Sequence, residues 1–414
     1  MEQVCEDTHT GFKFNFSKLD SVFAWLGLIV FLADIVLDFV TLVFFYQTGA
    51  YWRFSILLIL ILGSSVLVNT YSWLWYKYDK FEREMAVETC LSPRLFHVVH
   101  VFQLGFFVRQ AGVLEVPVLK CWKKKMEKKK ELEGYAVYRS HDFCFLKLIE
   151  AFSENSPQLL LMLTSVLHQH QAQLIQGIEV WKALASACGI ALGVTMYHRS
   201  LRSFLPDKAN QKVASSLVYF SWNLFLISSR LVALALFASV LPWFIFAHFL
   251  CSWLVLFFCA WRCQTSFMDS SAGEWLFRAT VGLIWYFNWL NVAKGRTRNR
   301  TLLYHGYMLL DICLLCRWFW KMSTESNLEK SIAVSVVVVV YVLGLILKVI
   351  YYKCIHPTLS KEKATTEDGG VLSKGTTAEE PEDTEVTFRS LPGPPTPSVE
   401  DRSRMRKLAE IFYS

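Results

Sequence analysis

The chain has 414 residues, of which 54% are hydrophobic and only 19% are charged, with a formal net charge of +7. A soluble domain carries roughly 25% charged residues, so this balance argues against a soluble globular protein. The eleven cysteines are an odd number scattered along the chain, a pattern that argues against a disulfide framework.

Long apolar segments predict membrane-spanning helices along most of the chain. A helix needs ~20 residues to cross the hydrocarbon core of a bilayer. Eight spans are predicted, at 22–46, 54–76, 142–167, 175–198, 214–236, 242–262, 302–321 and 331–352. The predicted fold class is therefore all-α, a polytopic membrane protein.

Clusters of Lys and Arg indicate which loops face the cytosol. The strongest cluster lies at 120–130 and the second at 294–300, with weaker clusters at 77–94 and 199–212. The intervening loops carry little positive charge. With eight spans, this pattern places both termini in the cytosol.

Two further apolar stretches, 95–114 and 276–292, have basic segments on both sides. A full crossing by either stretch would break the charge rule, so we interpret both as re-entrant or half-membrane helices. A plain span remains the alternative for each. Each half of the chain then holds four spans and one such helix, which suggests two repeats.

Composition divides the chain into a cytosolic N-terminus at 1–21, a transmembrane domain at 22–352 and a cytosolic regulatory tail at 353–414. Residues 357–398 have a linker composition that cannot bury a core. The last stretch is helix-like, because apolar residues recur there at three- and four-residue steps. These residues are Met405, Leu408, Ile411 and Phe412. A free helical tail and a helix docked on the cytosolic face both fit this pattern.

Ionisable residues inside the apolar runs carry the most information about function. Asp34 and Asp38 are spaced i, i+4 in the first predicted span, and Glu150 and Glu154 have the same spacing in the third. Each pair therefore faces one way on its helix. Further intramembrane charges are Arg109, Arg230 and Asp311. A structural ion-pair network and a polar path through the membrane both explain such charges, and the two can coexist.

We expect these carboxylates to pair with basic residues such as Arg109 and Arg230, and we expect Lys147 and Lys348 to extend towards the membrane surface. The sequence contains no phosphate-binding loop, dinucleotide fingerprint or hydrolase motif. A transporter, channel, scramblase or scaffold is therefore favoured over an enzyme. We expect no cofactor, no metal ion and no nucleic-acid partner.

Several motifs resemble the XK-related family. The run LIEAFSENSPQL at 148–159 is similar to the family's LFETxxExxPQL core. The other matching strings are FQLG at 102–105 with Arg109, YHRSLR at 197–202, LPDK at 205–208, EWLFR at 274–278, YFNWLNVAKGRTR at 286–298 and YYKCIHP at 351–357. The resemblance covers residues 20–357.

The resemblance implies a caspase-activated phospholipid scramblase of the plasma membrane that exposes phosphatidylserine on dying cells. Transport by such a protein is passive and bidirectional. The resemblance also implies that a set of charged residues lines or braces a polar lipid path. They are Asp34, Asp38, Arg109, Glu150, Glu154, Arg199 and Arg230. A single-span, immunoglobulin-like partner of the basigin or neuroplastin type is implied as well. The original XK branch behaves more like a partner subunit, so a transporter, accessory subunit or scaffold remains the alternative.

The chain departs from the family pattern beside Arg199. Close relatives carry an Asp directly before the YHR string, and this chain has Met196 there. Arg199 therefore lacks its expected acidic neighbour, and its role in the path is less certain than that of the carboxylates.

The tail contains candidate sites for an executioner caspase, which cuts after Asp and prefers a small residue next. Asp368 is the first choice, because Gly369 follows it, and Asp383 is the second. Thr365, at the first of the four recognition positions, is not the usual acidic residue. An acidic, solvated tail with incidental Asp residues is the alternative. Cleavage at Asp368 would release the helix-like end, which is then best interpreted as a plug on the cytosolic surface.

The topology makes a testable prediction. Antibody tags at Lys125, at Gly295 and at the C-terminus should be reachable only after the plasma membrane is permeabilised, whereas a tag at Gln171 should be reachable from outside. Surface labelling of intact and permeabilised cells measures this. Labels at Lys125 and Gly295 on opposite faces would contradict the two half-membrane helices.

Overall fold

The computed structural model describes residues 18–81, 86–122, 129–168, 173–203, 211, 213–292 and 297–355. Several sequence-based predictions concern residues outside these ranges. They are the caspase sites Asp368 and Asp383, the terminal residues Met405, Leu408, Ile411 and Phe412, and the tag positions Lys125, Gln171 and Gly295. These predictions remain predictions.

The described residues form helices, without a strand among them, and this confirms the all-α fold class. The α-helices in chain order are α1 Lys18–Gln47, α2 Tyr51–Tyr78, α3 Ala86–Thr89, α4 Pro93–Val101, α5 Gly105–Trp122, α6 Lys129–Glu150, α7 Ser156–His168, α8 Gln173–Ser203, α9 Val213–Val240, α10 Phe244–Arg262, α11 Ser271–Phe287, α12 Thr297–Met322 and α13 Asn327–Ile350. Short π-helices occupy Ala151–Asn155 and Tyr351–Ile355.

Within the described ranges, six helices are long and apolar enough to cross a membrane. They are Ala24–Gln47, Tyr51–Tyr78, Val213–Val240, Phe244–Arg262, Thr297–Met322 and Asn327–Ile355. The predicted span 142–167 falls on α6 and α7, and the predicted span 175–198 falls on α8. The described residues of these helices are not long and apolar enough to be counted among the six. The chain is a multi-pass membrane protein, and the total of eight spans remains a prediction.

The first predicted half-membrane stretch is broken into α4 and α5. The break needs a glycine, because a Cβ at Gly105 would lie 2.3 Å from the His100 ring. Asn69 of α2 satisfies backbone groups that the break leaves free, since its side chain donates to the Gln103 carbonyl at 3.1 Å and accepts from the Phe106 N–H at 3.2 Å. Broken helices are tolerated at membrane depth where protein supplies such partners.

The second stretch is also interrupted. Helix α11 ends at Phe287, and Asn288 continues in an extended conformation. The Asn288 side chain donates to Asn223 Oδ1 of α9 at 3.1 Å, and the Trp285 indole N–H donates to the Leu290 carbonyl at 2.7 Å. Side chains of neighbouring helices therefore hold this extended segment in the protein interior.

Helix α9 lies at the centre of the described structure. It packs against α7, α8, α12 and α13, and 67% of its most apolar window is buried, compared with 22% for α1. Close helix contact is helped by Gly344 of α13, where a Cβ would lie 2.8 Å from Leu226 Cδ2. Helix α1, in contrast, is a peripheral helix with one broad face exposed.

Helices α6 and α7 form one rod, because the π-helix at Ala151–Asn155 joins them without a break. Pro157 explains the wider turn: it has no backbone N–H, and its ring would crowd the carbonyl four residues earlier. Ser156 completes the turn, since both its N–H and its hydroxyl donate to the Ala151 carbonyl. Such π-turns occur frequently at functional sites, and this one lies at Glu150 and Glu154.

Candidate functional site

Arg109 of α5 is buried in an ion pair that ties α2, α5 and α6 together. Its Nη1 lies 2.9 Å from Asp142 Oδ2. Its Nε and Nη2 donate to the hydroxyl and the carbonyl of Ser72, at 2.9 and 3.0 Å. The guanidinium also lies 3.9 Å from the Tyr76 ring centre. Arg109 is only 1% exposed. We call its ion pair with Asp142 the Arg109 brace.

Arg139 extends the Arg109 brace to the loop after α2. Its guanidinium nitrogens lie 3.6 Å from Asp79 Oδ2 and 3.4 Å from Glu88 Oε2. The Tyr76 hydroxyl donates to the other Glu88 oxygen at 2.6 Å. Sequence reasoning missed these residues because they lie outside the predicted spans or at their edges. The spacing of Arg139 and Asp142, three residues apart at the start of a span, is the signal that could have found them.

A second buried pair, the Arg230 brace, joins α9 to α12. Arg230 Nη1 lies 2.5 Å from Asp311 Oδ2. His248 of α10 contacts Asp311 Oδ1 at 3.1 Å and the Tyr286 hydroxyl of α11 at 3.0 Å. Arg230 Nε donates to the Tyr286 carbonyl at 3.3 Å. Four helices therefore meet around one ion pair: α11 and α12 contact the guanidinium of Arg230 on α9, and α10 contacts Asp311.

These contacts correct the expected pairing of the acidic pairs. Arg109 and Arg230 pair with Asp142 and Asp311, and not with the two acidic pairs Asp34/Asp38 and Glu150/Glu154. The reason is that the arginines lie on α5 and α9, at positions where nearer acids face them.

The expectation for the two lysines is also wrong. Lys147 Nζ pairs with Glu150 at 2.7 Å and lies 3.8 Å from the centre of the Phe31 ring. Lys348 is only 7% exposed, and its Nζ lies 2.8 Å from His305 Nε2. Both side chains therefore find partners inside the helix assembly.

The acids of α1 are held by neutral amides of the rod. Asn155 Nδ2 donates to Asp34 Oδ2 at 3.1 Å, and Gln158 Nε2 donates to Asp38 Oδ1 in a short hydrogen bond. We call these two contacts the α1 seam. Residue numbers rise together along both sides of the seam, so α1 and the rod run in the same direction, as the first and third spans of the predicted topology should.

Two clefts flank α1. The α8 cleft, of about 360 Å³, lies between α1, the rod and α8. Its polar lining comes chiefly from Asp34, Lys147, Asn155 and Ser186. The α2 cleft, of about 270 Å³, lies between α1, α2, α5 and the rod. Its polar lining comes from Asp38, Glu150, Glu154, Ser64, Ser65, Asn69 and Gln103.

The clefts bring together four of the seven residues that the family resemblance assigns to the path: Asp34, Asp38, Glu150 and Glu154. Of the described residues that line either cleft, Lys147 is the single Lys or Arg. Carboxylates thus outnumber Lys and Arg among the described residues that line the clefts. Such clefts suit ligands that carry a positive group.

Arg199 lies apart from both clefts, at the junction of α8 and α9. Its Nη1 donates to the Gln211 carbonyl at 2.9 Å and to the Ser216 hydroxyl at 2.7 Å. Met196, which occupies the position of the expected acid, lines the α8 cleft. The apolar side chain at 196 therefore makes this cleft less polar on its α8 side.

No group of three or more His, Cys, Asp or Glu residues that could hold a metal ion occurs among the described residues.

Comparison with known proteins places these features in a family. The family model described as XK-related protein matches residues 22–357. The chain is 41% identical to XK-related protein 8 of Tetraodon nigroviridis, with 97% of this chain and 98% of the relative covered. It is 40% identical to the protein of the same name from Gasterosteus aculeatus, with the same coverage, and 31% identical to that of Pan troglodytes, with 95% and 94% covered.

The Arg109 brace makes a prediction about stability. Asp142→Asn leaves a buried guanidinium without its closest acid, and breaking a buried pair costs roughly 3–5 kcal/mol. We therefore expect a much lower thermal midpoint and little surface expression. Asp269→Asn, at an exposed loop position, is the matched control and should behave as the parent. A thermal midpoint for Asp142→Asn equal to that of the control would show that the pair does not stabilise the fold.

Proposed function

The chain belongs to the XK-related family, and on that premise we propose that it is a phospholipid scramblase of the plasma membrane. Its substrates would be phospholipids, including phosphatidylserine, which it would expose on apoptotic cells. The main support is the position of Asp34, Asp38, Glu150 and Glu154 in two clefts beside a helix whose outer face is lipid-exposed.

The geometry suits a lipid that keeps its tails in the bilayer. The outward side chains of α1 are apolar and largely exposed, as at Ile29, Val36 and Val40, which are 62%, 61% and 55% exposed. The carboxylates lie on the opposite, inward side, in the clefts. A headgroup moving along the clefts would therefore stay close to polar side chains while its acyl chains remain among other lipids.

The charges of the clefts complement a headgroup with both an amine and a phosphate. The carboxylates attract the ammonium group of choline, ethanolamine or serine. Lys147 lines the α8 cleft and would contact the phosphate by exchanging its ion pair with Glu150, whereas Arg109 and Arg230 are not among the residues that line the clefts. Exchange of these contacts needs no nucleotide, so movement would be passive and follow the lipid gradient in either direction.

A transporter, or an accessory or scaffold subunit of one, is the alternative function. The observation that favours it is the Arg230 brace, in which one guanidinium joins several helices by contacts that serve the fold alone. A protein whose intramembrane charges were all of this kind would need no lipid path. The carboxylates of the two clefts favour the scramblase, because Asp34 and Asp38 accept hydrogen bonds from amides and Glu150 pairs with a lysine that lines the α8 cleft.

Control by the tail completes the proposal. An executioner caspase would cut after Asp368, with Asp383 as the second site, and would release the terminal segment with Met405, Leu408, Ile411 and Phe412. A tethered segment has a high effective concentration at its binding surface. Cutting the tether removes this advantage, so the segment dissociates. A single-span partner such as basigin or neuroplastin is proposed on the family resemblance, and both termini are proposed to lie in the cytosol.

The test is reconstitution of the full chain into liposomes that contain a fluorescent phospholipid, with and without caspase treatment. We expect the inner-leaflet label to become accessible to an external quencher after treatment, and to remain protected before it. Liposomes without protein are the control. Protection of the inner-leaflet label in treated as well as untreated samples would rule out the scramblase.

The cleavage site gives a separate prediction. Asp368→Ala should block cutting, because a caspase requires the aspartate carboxylate, and phosphatidylserine exposure should then be lost in apoptotic cells. The size of the chain on a gel measures cutting, and annexin binding measures phosphatidylserine exposure. Asp383→Ala is the matched control and should be cut normally. If the double variant Asp368→Ala plus Asp383→Ala is still cut and active, both proposed sites are wrong. If it is active without being cut, the proteolytic switch should be abandoned.

A further inference from the structure

Helix α1 is attached to the protein less firmly than the central helices. It packs against α2 and α5, but the α2 cleft opens between parts of these helices, and the α8 cleft lies between α1 and α8. Little of its apolar window is buried. The α1 seam, in which Asn155 and Gln158 donate to Asp34 and Asp38, joins α1 to the rod.

The seam differs in kind from the two braces. In the braces a guanidinium gives the carboxylate a full opposite charge inside the protein. In the seam the donor is a neutral amide, whose dipole attracts a carboxylate less strongly than a whole charge does. The seam is therefore the contact that an incoming cation can replace most easily. An ammonium group at Asp34 would compete directly with the Asn155 amide.

The π-turn places both amides where they can act. Residues 147, 151 and 155 line the α8 cleft, and residues 150 and 154 line the α2 cleft. Asn155 is the last residue of the π-turn, and Gln158 follows one turn later. Each amide thus reaches α1 from the rod beside one cleft, and the pair determines how close α1 lies to the rod.

We propose that Asn155 and Gln158 are positioning residues that hold α1 as a releasable helix, so that the clefts widen when a headgroup ammonium replaces the amide donors. The inference rests on the proposed lipid transport and deepens it. It assigns the moving part to α1 and the fixed part to the helices joined by the Arg109 and Arg230 braces. The seam then sets the rate of lipid entry.

Substitutions at Asn155 test the proposal, because the open α8 cleft has room for a larger side chain. Asn155→Leu removes the donor at nearly constant size, and Asn155→Lys replaces the neutral donor by a charge. We expect Asn155→Leu to raise the lipid transfer rate about tenfold while the thermal midpoint falls, since a hydrogen bond to a charged group shifts an equilibrium by roughly that factor. We expect Asn155→Lys to lower the rate while the midpoint stays or rises.

A purely structural role predicts a different result. In that case the lipid transfer rate and the thermal midpoint of Asn155→Leu fall together, and this outcome overturns the proposal. Asn155→Gln, which keeps a donor, is the conservative control and should behave as the parent. Gln158→Met is the second variant, and it tests the proposal even where Asn155→Lys fails to fold. A faster lipid transfer rate with a lower thermal midpoint supports the proposal, and a slower lipid transfer rate overturns it.

A crosslink separates this inference from the proposed function. A Cβ added at Gly189 would lie 3.8 Å from Val30 Cγ1, so Val30→Cys with Gly189→Cys reports the position of α1 without lipid transfer. We expect disulfide formation in the full chain to become several-fold slower when Asn155→Leu is added. Val30→Cys alone controls for pairing with the native Cys188.

The outcomes are distinct. If the parent moves no lipid but the crosslink slows as expected, the proposed function fails and the role of the seam stands. If the parent moves lipid and neither the rate nor the crosslink responds to Asn155→Leu, the role of the seam is wrong.

Discussion

A charge that leaves water must find a partner inside the protein, and this constraint determines how the helices of this chain are joined. Arg109 meets Asp142, and Arg230 meets Asp311, each with one partner on another helix. These contacts fix α2, α5 and α6 to one another and α9 to its neighbours. Where the same constraint is met by neutral amides, as for Asp34 and Asp38, the helices are joined without cancelling the charge.

The same requirement applies to the backbone. The break between α4 and α5 frees amide and carbonyl groups, and Asn69 satisfies two of them. In the extended segment after α11, the Trp285 indole N–H satisfies the Leu290 carbonyl. The broken helices and the two braces together form a fixed frame, and the two clefts lie where this frame faces α1.

Much of this could be predicted from the sequence, because the patterns involved are local. Apolar length predicts the helices, and the i, i+4 spacing predicts that Asp34 and Asp38 share a face. Basic flanks at 95–114 and 276–292 predict half-membrane helices; the helices are interrupted at both stretches, and their depth in the membrane remains a prediction. Pairing between distant segments could not be predicted: Arg109 was assigned to the wrong acids, because nothing local distinguishes Asp142 from Glu150 as its partner. The π-turn at Ala151–Asn155 was missed as well, although Pro157 is its sequence signal. The position of α1 between two clefts depends on its packing and hydrogen bonds with distant segments, which no local pattern encodes.

The central claim is that the intramembrane charges form two classes, braces that hold the frame and carboxylates that handle lipid. Lipid transfer by caspase-treated protein in liposomes tests it directly, with Arg230→Met plus Asp311→Leu compared against Asp34→Asn plus Asp38→Asn. Replacing a buried pair by apolar residues of similar volume is often tolerated. We therefore predict that the first double variant keeps its transfer rate within about twofold. We predict that the second loses transfer, while its thermal midpoint falls no further than that of Asn155→Leu, because Asn at both positions can still accept the amide hydrogen bonds. Loss of transfer in the first variant, with transfer retained in the second, would contradict the account.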